Sequence, residues 1–321
     1  MVKTLLKSVR QYKRVSIETP LFVTMEVILE CTIPLIMSKL IDDMTGSSMA
    51  PILKYGALLL VLATLSLLFG VLSARAAATA GCGLAKNLRR DRYFKTQDFA
   101  FADIDKFSSS SLVTRMTTDV SNVQNAYQML IRMAVRAPLM TVFSVIMSMS
   151  INVRMSFIFL ALLPVLAAAL FGIFFYVHPI FKRIFKKYDA LNNSVQENVG
   201  GIRVVKSFVR EDYEKKKFEN AAEEVRKDFT MAEKILALNN PVMTFCIYVS
   251  MLLVSFFGAK LIIGTGGSEL STGELSSLIS YGVQILTSMM MLSMVFVMCS
   301  MAQESGDRIA EVLNHERPLR S

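Results

Sequence analysis

The chain has 321 residues, 53% of them apolar and 19% charged, with a net charge of +9. So large an apolar share, gathered into long runs, indicates an integral membrane protein and excludes an ordinary soluble domain. The positive balance would suit nucleic acid, but its distribution along the chain fits membrane topology instead.

A span needs about 20 mostly apolar residues. Six stretches qualify: Val15 to Ile41, Ile52 to Ala80, Arg132 to Ile151, Ser156 to Val177, Leu236 to Ile263 and Leu275 to Met301. The first follows a basic head, Lys3, Lys7, Arg10, Lys13 and Arg14. It is too long and too poor in small-residue cleavage signals for a secretory signal peptide, so it reads as a retained span. Of the 35 Lys and Arg, seven lie between Gly81 and Thr118 and thirteen between His178 and Lys234, whereas the connections Asp42 to Pro51, Ile151 to Met155 and Gly264 to Glu274 hold only Arg154. The positive-inside rule therefore places both termini and both long excursions in the cytoplasm of a multi-pass protein of the cell membrane. Anionic lipid is the expected contact of the basic residues.

The helical pattern after the second span continues through Leu84, Leu88, Arg92 and Lys95 toward Phe101. As one helix, Ile52 to Phe101 would measure about 75 Å, more than twice the hydrocarbon thickness. The polar stretch Asp103 to Ser111 turns the chain, with Ser111, Thr114 and Asp119 as alternative helix-start caps. Val113, Met116, Val120, Val123, Tyr127 and Leu130 then lead back to the bilayer at helical spacing. The excursion after the fourth span repeats the design. Tyr188, Leu191, Val195, Val199, Ile202 and Val205 predict an outgoing helix, and Phe218, Ala222, Val225, Phe229 and Ala232 a returning one. Lys206 to Tyr213 is the charged elbow between them, carrying Phe208 and Tyr213.

Charged groups inside the spans are expensive and need a partner or a watery cavity. Glu26 and Glu30 lie one helical turn apart in the first span, and Arg132 and Arg136 one turn apart in the third. Counted from the outer ends, Glu26 and Arg136 both sit about 22 Å down, so the pairs can meet across two helices. Two readings stand: a polar patch in a substrate cavity or cation site, or a salt bridge that holds the bundle together. Arg75 is expected to snorkel toward the inner headgroups. Met290, Met294 and Met298 fall four apart in the last span, a flexible stripe suited to varied apolar ligands, or else to ordinary helix packing.

Leu270-Ser-Thr-Gly-Glu274 echoes the phosphate-contacting signature of nucleotide-binding cassettes, but it falls in an outer loop and is discounted. No G-x-x-x-x-G-K-[ST] phosphate loop occurs, so the chain has no ATPase motif of its own. Cys31, Cys82, Cys246 and Cys299 have no paired spacing, and His178 and His315 are isolated, so neither a disulfide framework nor a metal site is expected.

These residues resemble the transmembrane half of an ATP-binding cassette exporter of the type IV fold. The resemblance covers essentially the whole chain. Its carriers are Gln196 through Tyr213, Phe107 and Leu112 through Asp119, and the closing Asp307 to Asn314. The last spans look most like subunits of heterodimeric multidrug exporters. The resemblance implies an all-α polytopic protein with six long transmembrane helices extending into the cytoplasm, assembled as a domain-swapped dimer. It implies residues 1–14 as an interfacial segment, 15–316 as the transmembrane domain with inner hairpins near 81–131 and 178–235, and 317–321 as the start of a linker to a nucleotide-binding domain. It further implies coupling helices at the hairpin tips, with Asp105, Lys106, Phe107 and Arg115 at the first and Lys206, Phe208, Arg210, Glu211 and Tyr213 at the second. Ser110 stands where family members usually carry Gly, which leaves the first turn open.

On this resemblance, the implied function is the permease part of an ATP-driven exporter of amphipathic drugs, lipids or peptides, working by alternating access. The implied partners are a second transmembrane half, with a related chain in a heterodimer favoured over an identical one, nucleotide-binding domains, and membrane lipid. ATP and Mg2+ would act only through a nucleotide-binding domain, which the sequence up to Ser321 does not contain. The implied cavity residues are Glu26, Glu30, Arg132, Arg136, Met290, Met294 and Met298. The rival is an ion- or proton-coupled secondary transporter using the Glu and Arg groups, which predicts inverted repeats or broken spans.

Overall fold

The computed structural model describes residues 2–44, 49–99 and 109–314, and the described chain is helical almost throughout. A short helix α1 (Val2–Lys7) and a 3-10 turn (Arg10–Tyr12) lead into α2 (Lys13–Asp43). Then come α3 (Met49–Gln97), α4 (Ser109–Ile151) and α5 (Val153–Gly200). A six-residue helix α6 (Ile202–Ser207) precedes α7 (Glu211–Ala237), α8 (Asn239–Thr265) and α9 (Thr272–Asn314). Among the described residues, six helices are long and apolar enough to cross a membrane. At about 1.5 Å per residue the 49 residues of α3 reach about 73 Å, so the helix runs well beyond a bilayer core, as its periodicity predicts.

Proline does not interrupt these helices, and at Pro34 a neighbouring group takes over the bond it removes. Pro34 has no N–H to offer the Glu30 carbonyl. The Gln284 amide on α9 donates to that carbonyl at 3.5 Å, the Tyr281 hydroxyl donates to the Cys31 carbonyl at 2.6 Å, and Ser277 donates to the carbonyl of Pro34 itself. Thr24 donates to the Pro20 carbonyl at 2.8 Å.

The chain divides into two compact units, residues 1–162 with 247–321, and residues 163–246. In the first, two apolar clusters hold α2, α3, α4 and α9 together. One gathers Val9, Leu84, Leu88, Val120, Val123 and Ile309. The other gathers Val23, Val27, Cys31 and Tyr281. The short connections meet at the end of this unit opposite the first cluster: Ser271 donates to Asp42 at 2.6 Å and Asn152 to the Glu269 carbonyl at 3.5 Å. This is the arrangement that the alternation of short and long connections predicts.

The second unit contains an antiparallel pair formed by the later part of α5 and by α7. Arg183 is bonded to Asp228 at 2.9 Å, Lys187 to Glu224 at 2.6 Å, and Asn198 to Glu214 at 2.9 Å. Phe181 meets Phe229 edge-on, and Ile184, Val225 and Ala232 are buried. The expected outgoing helix does not run unbroken through Val205. It ends at Gly200, and Gly201 takes φ −95° and ψ 14° before α6 begins. Adjacent glycines are poor helix formers, and here they interrupt the helix.

Candidate functional site

Within the first unit, α2 presents Glu26 and Glu30 on one face, and α4 brings Arg136 to both. The Arg136 Nη1 donates to Glu26, while its Nη2 donates to the two Glu30 oxygens at 2.8 and 2.7 Å. Ser73 of α3 donates to the other Glu26 oxygen at 3.3 Å, and a Cβ at Gly70 would lie 3.0 Å from Glu26, so a side chain there would press on the carboxylate. Exposure is graded: the Glu26 side chain is 7% exposed, Arg136 19% and Glu30 25%. One guanidinium faces two carboxylates, leaving one surplus negative charge whose more open side is Glu30.

Polar side chains extend this patch along α4 and α9. Ser144 donates to Gln284 at 3.0 Å, and Thr141 and Ser288 share a hydrogen bond of 2.6 Å. The expected meeting of Glu26 with Arg136 is thus present. Arg132 is not drawn in: it pairs with neither glutamate, and its buried Nε has no hydrogen-bond partner among the described residues. Met290 and Met298 are half-buried and Met294 is 58% exposed, so part of the methionine stripe is uncovered in the single chain.

In the second unit the tip is α6 with the link Phe208 to Arg210. Phe208 is 74% exposed, and Val209 adopts the left-handed φ of 52°, a conformation a branched residue rarely takes. Lys206 pairs with Glu211 at 3.5 Å, and the Arg210 guanidinium sits 5.8 Å from the centre of the Tyr213 ring. Glu211 and Tyr213 fall on the first turn of α7 rather than on the cross-piece. A cavity of about 400 Å³ beside the tip is lined by Val195, Val199, Ile202, Lys206, Glu214 and Phe218. Lower down, Lys187 is held charged by its hydrogen bond to Glu224 and a second to Asp228, which raises its pKa. Asp105, Lys106 and Phe107 lie outside the described residues, as does the side chain of Arg115 on α4.

Residues 17–297 match the model of the family described as the ABC transporter transmembrane region. The chain belongs to that family. A relative described as an uncharacterized ABC transporter ATP-binding protein, YfiB of Bacillus subtilis (strain 168), is 30% identical over 91% of this chain and 50% of its own length. A similarly described protein, Rv1273c of Mycobacterium tuberculosis (strain ATCC 25618 / H37Rv), is 27% identical over 98% of this chain and 54% of its own. The multidrug resistance-like ATP-binding protein MdlA of Buchnera aphidicola (subsp. Baizongia pistaciae, strain Bp) is 30% identical over 65% and 36%. The chain spans about half the length of the first of these relatives. As an ABC transporter transmembrane region it is a multi-pass membrane protein that serves transport.

Two features of this region escaped the sequence reading. Ser271 and Glu274 form a reciprocal capping box at the start of α9: the Glu274 carboxylate accepts from the Ser271 N–H at 2.9 Å, and the Ser271 oxygen accepts from the Glu274 N–H at 3.0 Å. The S-x-x-E spacing before an apolar run was the available signal. Asp42 reinforces it, accepting from the Ser271 hydroxyl and from the Gly273 N–H at 2.9 Å. Asp119, one of the expected caps, lies instead well inside α4. There its carboxylate accepts from Ser305 of α9 at 2.9 Å and faces Arg308 at 3.5 Å.

Proposed function

We propose that this chain is the permease part of an ATP-driven exporter, working with a second transmembrane half in a domain-swapped, preferably heterodimeric assembly. Residues 15–316 act as the transmembrane domain, residues 1–14 as its interfacial segment, and residues 317–321 lead toward a nucleotide-binding domain. Both termini and both hairpins face the cytoplasm of a bacterial cell. ATP and Mg2+ act through the nucleotide-binding domain, in keeping with the description of the relatives as ATP-binding proteins. ATP binding drives the hairpin tips and turns a cavity between the two halves from inward- to outward-facing.

The observation that carries this reading is the tip of the second unit. A short cross-helix ends in Phe208 and Val209, 74% and 82% exposed, and apolar side chains bared at the tip of a charged hairpin call for a protein partner. Asp105, Lys106, Phe107 and Arg115 act in the same way at the first tip, and Lys206, Arg210, Glu211 and Tyr213 frame the second. Glu26, Glu30, Arg132 and Arg136, with Met290, Met294 and Met298, line the cargo cavity. Its cargo is amphipathic: drugs, as the name of the MdlA relative suggests, or lipids or peptides. A photo-cross-linker at Phe208 in native membranes should capture an ATPase domain. Capture of none, or access to Phe208 only from outside the cell, overturns the reading.

A further inference from the structure

The N-terminal segment is fastened to the bundle by some of its side chains and leaves others exposed. Its helix α1 has six residues, too few to persist in water alone. Tertiary contacts hold it instead. Leu5 and Val9 pack with Leu88 of α3 and Ile309 of α9, and Asn314 of α9 donates to Thr4 at 3.5 Å. Ser8 is fixed twice, its hydroxyl donating to Asp91 at 2.8 Å and its carbonyl accepting from Asn87 at 2.8 Å. Arg10 pairs with the same Asp91 at 3.0 Å, at the strained φ of 41°. The Tyr12 ring fills the space a Cβ on Gly83 would need, 2.4 Å away.

Other side chains of the segment have no such partners among the described residues. Val2 and Leu6 are 59% and 48% exposed, and Ile17 and Leu21, just beyond, 65% and 60%. Lys7, Lys13 and Arg14 are exposed and make no ion pair among the described residues; Glu18, one turn after Arg14, is also exposed and unpaired with it. Unpaired cations beside bare aliphatic side chains, where the first span begins, match the boundary between phosphate headgroups and acyl chains.

We propose that this segment is a binding site for an anionic phospholipid of the inner leaflet. Lys7, Lys13 and Arg14 take the headgroup phosphate, while Leu6, Ile17 and Leu21 lie against its chains. Because the inward face of the segment braces the Leu88, Val120 and Ile309 cluster, lipid bound outside clamps the inner ends of α3, α4 and α9. The charge of the membrane thereby tunes the stability of that cluster. This rests on the cytoplasmic placement of the N-terminus proposed above.

The test uses the full-length transporter in nanodiscs of phosphatidylcholine with or without phosphatidylglycerol. The protein should retain phosphatidylglycerol over phosphatidylcholine by about tenfold or more, read by mass spectrometry, and its unfolding midpoint should rise with phosphatidylglycerol. The triple variant Lys7→Gln/Lys13→Gln/Arg14→Gln should lose both effects while keeping its midpoint in phosphatidylcholine. A variant of equal charge change elsewhere, Lys215→Gln/Lys216→Gln/Lys217→Gln, should keep both. Equal loss in the two variants, an undiminished effect in the first, or a matching rise from inorganic phosphate in phosphatidylcholine discs would each overturn the proposal. An impermeant maleimide on Lys13→Cys, in a cysteine-free background, separates the two failures. Labelling from outside the cell refutes the orientation and the lipid site together, whereas labelling from inside without lipid dependence refutes the lipid site alone.

Discussion

A pair of carboxylates one helical turn apart grips a cation twice in this molecule, in opposite surroundings. Glu26 and Glu30, one turn apart on α2, grip Arg136 in the bundle, and Glu224 and Asp228, one turn apart on α7, grip Lys187 in the hairpin. In the bundle two carboxylates share one cation, which leaves a surplus negative charge, whereas in the hairpin Arg183 also bonds Asp228 at 2.9 Å, so that two carboxylates meet two cations. In the hairpin the charges balance and water screens them, and such pairs add little to stability. In the bundle the cation is the planar, forked guanidinium, able to serve both carboxylates at once, and Ser73 supplies a further donor. The difference shows that the residues surrounding a charge pattern decide what it does.

The comparison can be broken most severely at Arg136. Arg136→Gln leaves two carboxylates in the span without a cation and should destabilise the protein by about 3–5 kcal/mol, read as a drop in unfolding midpoint in detergent or nanodiscs. The double variant Glu26→Gln/Arg136→Gln should recover part of that loss. Away from the charges, Gly273→Ala puts a Cβ 2.1 Å from the Ser38 carbonyl oxygen, and about 1–3 kcal/mol is expected from the backbone shift it forces. Asp42→Ala removes the acceptor for Ser271 and Gly273, for about 0.5–2 kcal/mol. Its effect should be less than additive with Ser271→Ala, since the two share a bond.

Glu30→Gln sharpens the comparison rather than breaking it. Arg136 keeps Glu26, the surplus charge disappears, and stability should move by about 1 kcal/mol or less. If Glu30 serves cargo, transport of cationic compounds should fall more than that of neutral ones, and equal losses would leave it a structural role only. The smallest effect belongs to Lys187→Gln, detectable as faster hydrogen exchange in α5 and α7. Hydrogen bonds to Glu224 and Asp228 raise the Lys187 pKa, so its contribution is complete at neutral pH and fades only as pH climbs past the ordinary 10.5. The difference between variant and parent should therefore stay constant from about pH 6 to 9.

Apolar runs and the sorting of Lys and Arg made the spans and hairpins legible, because hydrophobic burial and membrane topology both act locally along the chain. The meeting of Glu26 with Arg136 was legible through depth alone, as helical rise converts residue number into distance. Depth says nothing about rotation, and that is why Arg132, one turn further along, was grouped with them although its side chain has another environment. The break at Gly200 and Gly201 was masked by apolar spacing that continues through Val205. The fold-back of Ser8 and Tyr12 onto Asn87 and Gly83 depends on pairs about 70 to 80 residues apart, for which one sequence carries no periodic signal.

Helix α9 carries no proline between Thr272 and Asn314, whereas α2, α4 and α5 each contain one or two. Its first turn is tied to Asp42, and its last turns are tied to Asp119 and to the Ile309 cluster. Such a rod, about 65 Å long at 1.5 Å per residue, has no proline hinge in which to absorb torque. A twist applied near Asn314 would be carried toward the capping box at Ser271, so the fastening to Asp42 is where a drive shaft of this kind would first slip.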